Sequence, residues 1–188
     1  MVQSDNFAVR NSELVDPTNG LFTVLGLVSL HLGGPYWWHS EDINNEMARG
    51  AVFRAYELGG SERAGLDVAS ITVADVTDDP TEPDISELSQ CDILSLDDFL
   101  YKGIQEQLAA DGMQLIQWMR SELNQADNLK GLVTPYIVMD QGKERQFIAL
   151  RIKAKGRKVV IIGVFDIAKK EVLAKPIFNT LRDMVVLA

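Results

Sequence analysis

Cysteine is nearly absent from this 188-residue chain: Cys91 stands alone, so no intrachain disulfide can form. A chain of this size needs none, since a domain of about 150 residues buries roughly 70% of the surface its unfolded state exposes. The shortage points to the cytoplasm, or to the periplasm if a leader has been removed. Asp92 beside Cys91 makes a poor setting for a nucleophile. Histidine is scarce too. His31 lies in an apolar run and reads as a core or edge residue, while His39, near Glu41 and Asp42, reads as a solvated turn. They form no metal-ligand pair at helical spacing, so no metal or cofactor is expected. Bases are rare in the first hundred residues, where Arg10, Arg49, Arg54 and Arg63 face eighteen acids. That imbalance argues against nucleic acid as a partner. Long apolar runs are missing. The longest, Leu21–Leu32, is broken by Ser29 and His31, is too short to span a bilayer, and follows twenty mostly polar residues with no basic start. Nucleophile elbows, phosphate-binding glycine loops and dinucleotide fingerprints are lacking as well, which argues against an enzyme.

What is present suits a folded domain. Hydrophobic residues make up 46% of the chain, a globular value. A single domain over 1–188 is expected, with 1–20 a polar N-terminal extension. Leu21–Leu32 reads as one strand, Ala51–Leu58 as a second and the β-branched Leu66–Val76 as a third. Acids then crowd together, and Pro80 and Pro83 exclude a continuous helix, so 77–94 reads as a long acidic loop. Asp78, Asp79, Glu82 and Asp84 lie within it, without the glycine and terminal glutamate of a calcium-binding EF-hand loop.

Beyond the loop the patterns are stronger. Ser95 and Asp98 resemble a capping box, and Leu96, Phe99, Leu100, Ile104 and Leu108 form a helical stripe ended by Gly112. Met113–Leu123 reads as a strand, Asn124–Leu129 as a polar turn and Leu132–Met139 as another strand. Glu144–Ala154 alternates, with Ile148, Leu150, Ile152 and Ala154 opposed to Arg145, Phe147, Ala149, Arg151 and Lys153. Gln141-Gly142 and Lys155-Gly156 mark tight turns on either side. Val159–Phe165 is apolar on both faces and needs a layer above and below. A last helix is expected to start near Pro176, with Ile177, Leu181, Met184 and Val185 as its stripe.

The expected fold is therefore α+β, a central antiparallel sheet flanked by helices on both faces. From Ser95 onward the order SLDDFLYKGIQEQLAADGMQLIQW, GKERQFIALRIKAKGRKVVIIGVF and KPIFNTLRDM resembles the PsbP-like αβα sandwich, including DcrB-like bacterial proteins. That resemblance implies a protein-binding or accessory role. It brings to mind immunity proteins that neutralise secreted antibacterial effectors, and secretion chaperones that shield an apolar effector helix. A metal-dependent or small-molecule-binding accessory protein is a third reading. The expected partner is thus a protein, a secreted effector or toxin.

Two features are candidates for binding it. Trp37 and Trp38 follow a Gly-Gly-Pro turn, and tryptophan is enriched at interface hot spots, although core packing is the commoner role of such a pair. The second feature pairs the acids Asp78, Asp79, Glu82 and Asp84 with the basic, partly aromatic strand face of Arg145, Phe147 and Arg151. That face either receives a partner's segment or is covered by the chain's own acidic loop.

Overall fold

The structure is a computed structural model that describes residues 12–14, 21–32, 38–40, 51–58, 67–126 and 129–187. Its core is a nine-stranded antiparallel sheet. In chain order the strands of the whole structure are β1 (Ser12–Leu14), β2 (Leu21–Val24), β3 (Val28–His31), β4 (Trp38–Ser40), β5 (Ala51–Leu58) and β6 (Asp67–Asp75). Helix α1 (Ile93–Ala110) follows, then β7 (Gln114–Trp118), β8 (Glu122–Ala126), β9 (Leu129–Asp140), β10 (Lys143–Ala154) and β11 (Arg157–Asp166). Helix α2 (Lys170–Arg182) and β12 (Val185–Val186) close the chain. The large sheet runs β1-β4-β5-β6-β11-β10-β9-β7, with β8 also paired to β9. Strands β12, β3 and β2 form a small second sheet.

The β9–β10–β11 meander is set by its turns. Gln141 and Gly142, then Lys155 and Gly156, all take positive φ, the two-residue conformation that matches the twist of paired strands. With register fixed, alternation sorts the side chains. Directly opposed residues share a face, so Ile71, Gly163, Ile148 and Pro135 form one row across four strands. Ser70, Val164, Phe147, Tyr136 and Trp118 form a row on the opposite face.

The two faces carry different covers. On the first, Ile177 and Leu181 of α2 pack with Ile71, Ile148 and Ile161, and the small sheet adds Val28 and Leu30 to the same core. Gly163 permits that approach: a Cβ there would lie 2.7 Å from Ile177 Cγ2. On the second, Leu108 of α1 packs with Met113, Tyr136, Val138, Phe147 and Val164. Strand β11 lies between β6 and β10, and its Ile161 and Phe165 are fully buried. Each such side chain contributes about 1.5–3 kcal/mol relative to an exposed one.

Several expectations are corrected. The apolar run Leu21–Leu32 is a hairpin, β2 and β3, because Leu25 and Gly26 take φ of 50° and 63° and Leu27 N–H donates to the Val24 carbonyl. Ser95 does not cap α1; the helix starts at Ile93 with Asp92 at its N-cap. Phe99 leaves the buried stripe and is 52% exposed, while Ile93 joins it. Met113–Leu123 is broken at 119–121 into β7 and β8, and 124–126 of the expected turn belong to β8. Helix α2 starts at Lys170, six residues ahead of Pro176, after a single 3-10 turn capped by Asp166, which accepts from Ala168 N–H at 2.9 Å. Pro176 lies inside that helix, and Val185 lies beyond it in β12.

Candidate partner-binding surface

The acidic segment 76–92, the strap, runs without helix or strand between β6 and α1. Its local shape comes from one device used three times. Asp75 accepts from Thr77, Asp79 from Thr81 and Asp84 from Ser86, each through the backbone N–H and the hydroxyl two residues on. Such aspartate turns replace the backbone pairing that Pro80 and Pro83 deny the segment.

Basic side chains of the meander fasten these turns to the sheet. Arg151 of β10 donates from Nε to Glu82 Oε2 at 2.9 Å, and Lys153 Nζ meets Asp84 Oδ2 at 2.6 Å. Lys158 of β11 donates to the carbonyls of Asp79 and Glu82 at 2.6 and 2.8 Å. Lys130 of β9 donates to the carbonyls of Ser86, at 3.1 Å, and Leu88. Buried Ile85 and Ile93 anchor the segment's apolar side. The Lys153 ammonium and the Ser86 donors pull the Asp84 carboxyl down to about 2. Burial raises the Asp75 carboxyl, but the Thr77 donors and Arg157 outweigh it and leave it below the usual range.

The Arg151 side chain is only 7% exposed, and Nη1 also reaches Thr134 Oγ1 at 3.4 Å. Thr134 in turn bonds Ser121 at 3.0 Å. Beside this polar line runs an aromatic one. Phe147 stacks on Tyr136, Tyr136 on Trp118, and Trp118 meets Tyr101 of α1 edge to face, with centroids 5.2, 5.8 and 5.6 Å apart. Burial pushes the Tyr136 hydroxyl up to about 12. Asp97 ties α1 to the β7–β8 break, accepting from Trp118 Nε1 at 3.0 Å and Ser121 N–H at 2.8 Å. Burial raises the Asp97 carboxyl, yet those donors hold it below its ordinary value.

The structure thus brings Glu82 and Asp84 onto Arg151 and Lys153, and the chain's own strap covers that part of the basic face. Asp78 is exposed on the strap, and Asp79 is bound into its turn. Arg145 pairs with Asp140 at 3.1 Å, away from the strap contacts, and Phe147 is buried. Trp37 lies outside the described residues; Trp38 begins β4 opposite Tyr56 and Leu14, with its side chain outside them. His31 is exposed at the end of β3, and its carbonyl accepts from Thr180 Oγ1 at 3.0 Å. Sequence reasoning missed Lys130 and Lys158, whose acceptors are backbone carbonyls and leave no residue signature. It also missed the Asp97–Trp118 tie. Among the described residues no group of three or more His, Cys, Asp or Glu is placed to hold a metal. Among them, too, no helix is long and apolar enough to cross a membrane.

This antiparallel sheet with one helix on each face is the PsbP-like fold. The solution structure of cyanobacterial PsbP (CyanoP) from Synechocystis sp. PCC 6803 matches it with a TM-score of 0.58, covering 99% of this chain and 98% of that one. At 12% identity that likeness establishes the fold alone. A Bacteroides thetaiotaomicron VPI-5482 protein (TM-score 0.45, 9% identity, 89% of this chain and 48% of that one) is more distant. So is Mycobacterium tuberculosis LpqN, described as involved in cell envelope biogenesis (TM-score 0.37, 10% identity, 95% and 91%). No family model and no curated protein matches the chain.

Proposed function

We propose that this chain is a non-enzymatic protein-binding domain that neutralises a secreted antibacterial effector, as an immunity protein. The observation that carries this reading is the fastened strap. Its turns are closed by their own threonines and serine, and cations of the same molecule hold it on the sheet. Asp78, Glu87 and Asp92 therefore stay exposed on a segment already in one shape. Pre-organisation lowers the ordering cost of binding, and a single-sign surface speeds encounter with an oppositely charged partner. A secretion chaperone calls for an open apolar groove on the sheet. Strands β10 and β11 instead bury apolar residues on both faces, which favours the immunity reading.

The test is co-expression with the product of the gene adjacent to its own. A stable complex and protection of the cell are expected. Absence of a complex, together with a deletion strain that remains resistant to that product, overturns the proposal. Within a complex, Asp78→Asn with Glu87→Gln lowers the association rate about three- to tenfold at low salt and leaves dissociation unchanged. Stopped-flow kinetics check this, and an unchanged association rate removes the strap from the encounter.

A further inference from the structure

We propose that the corner where α1 meets β7 is the docking surface for a basic protein segment, with Tyr101 and Trp118 as its anchors. The inference rests on the protein-binding reading above and names the site and the partner's chemistry.

Trp118 is held by three neighbours. Its ring stacks on buried Tyr136, its N–H donates to Asp97, and Tyr101 meets it at right angles. The indole remains partly exposed with its one polar atom already satisfied, so what it offers a partner is ring surface. Tyr101 is 36% exposed beside it. Leu94, 56% exposed, stands seven residues ahead of Tyr101, on the same stripe of α1, with exposed Asp98 between them. On the strand side, Ile116 is 46% exposed at the β-bulge between Leu115 and Gln117.

Two physical points select the occupant. Rigid, internally supported aromatics lose little freedom on binding, and aromatics anchor interface hot spots. The charge around them is mostly negative. From Asp92 to Arg120, the span that builds the corner, the chain carries five acids and two bases, Lys102 and Arg120, and Asp92 and Asp98 are exposed near the start of α1. A lysine or arginine over the Trp118 or Tyr101 ring gains a cation–π contact as well as that field. Acidic and purely apolar segments gain neither.

The experiment uses the full chain, isotopically labelled, and two synthetic peptides, one alternating leucine with lysine and one alternating leucine with glutamate. Shifts on titration with the lysine peptide are expected to centre on Leu94, Tyr101, Ile116 and the Trp118 indole N–H. The glutamate peptide leaves these signals in place. Leu94→Lys combined with Tyr101→Lys weakens the lysine peptide at least about tenfold, whereas Leu21→Lys and Val172→Lys, exposed apolar positions elsewhere, change it less than about twofold. If Tyr101→Lys unfolds the chain, Leu94→Lys alone and the wild-type shift map decide. The proposal is overturned by shifts confined to the strap, by an equal response to both peptides, or by corner variants that bind normally. It is also overturned by a concentration-dependent dimer that the corner variants dissolve, which makes a second copy the occupant. An intact peptide response with no effector complex refutes only the neutralising role; an effector complex indifferent to the corner variants refutes only the corner.

Discussion

Glu82→Leu is the most informative single change to the strap. It removes the carboxylate that meets Arg151 and leaves a guanidinium whose side chain is 7% exposed, with Thr134 at 3.4 Å as the remaining partner of Nη1. Removing one member of a buried ion pair costs about 3–5 kcal/mol, because the surviving charge is stranded. Glu82 itself is 20% exposed, which places the loss near the lower end, about 3 kcal/mol. For a chain of this length that lowers Tm by roughly 6–12 °C. The reverse change is milder. Arg151→Met strands a carboxylate that can turn to water, at a cost of about 1 kcal/mol. The double variant buries neither charge and is expected within about 1 kcal/mol of wild type, so the cycle yields a coupling of roughly 3–5 kcal/mol. Urea unfolding of the four proteins measures it. Equal costs for the two single variants, or a double variant equal to their sum, refute the asymmetry drawn from burial.

Further outcomes follow from other contacts. The Asp84 carboxyl lies at about 2 in the folded chain, below its ordinary value, so its stabilising contribution is complete above about pH 4 and lost as pH falls toward 2. Acid titration of Asp84→Asn is therefore expected to be flatter than wild type between those values and parallel to it above pH 5. A wild-type slope between pH 4 and 2 in the variant removes Asp84 as a latch. Gly163→Ala places a Cβ against Ile177 and destabilises by about 1–3 kcal/mol in urea, with altered packing of α2; a neutral result means that α2 shifts freely. Asp97→Ala removes the acceptor of Trp118 Nε1 and Ser121 N–H, costs about 1–3 kcal/mol and moves the Trp118 indole N–H resonance. A stationary indole resonance refutes the tie.

The C-terminal half was legible because its signals are local. Period-two alternation in Glu144–Ala154 and the turn pairs Gln141-Gly142 and Lys155-Gly156 carry their own geometry, and the two-sided apolar strand Val159–Phe165 demanded two covers. Misreadings arose where a local rule met a competitor. A largely apolar run hid the β2–β3 turn, since leucine is an unusual choice for the left-handed position that Leu25 occupies. Pro176 suggested a helix start, yet α2 accommodates it: the carbonyl it leaves without a donor belongs to Val172, 65% exposed on the water side. The acidic strap was visible as composition. The basic face was one expected cover for it, but the individual pairs were not legible, because Glu82 and Arg151 are 69 positions apart and only register brings them together. The corner at Trp118 was hidden by the same long range, through a helix 21 positions upstream.

The way the strap is fastened also dictates an order of events. Its turns are synthesised well before the groups that secure them: Lys130 lies 42 positions after Leu88, and Lys158 lies 79 after Asp79. Strand β6 likewise waits for β11, the last strand of the large sheet to leave the ribosome and the one that joins β6 to β10. Until the final hairpin is made, the acidic stretch lacks the Lys158 fastening, and β6 has no partner on its β11 side. Completion of β11 therefore joins β6 to β10 and adds the last fastening of the acidic stretch, so that a chain stalled before Lys158 lacks both.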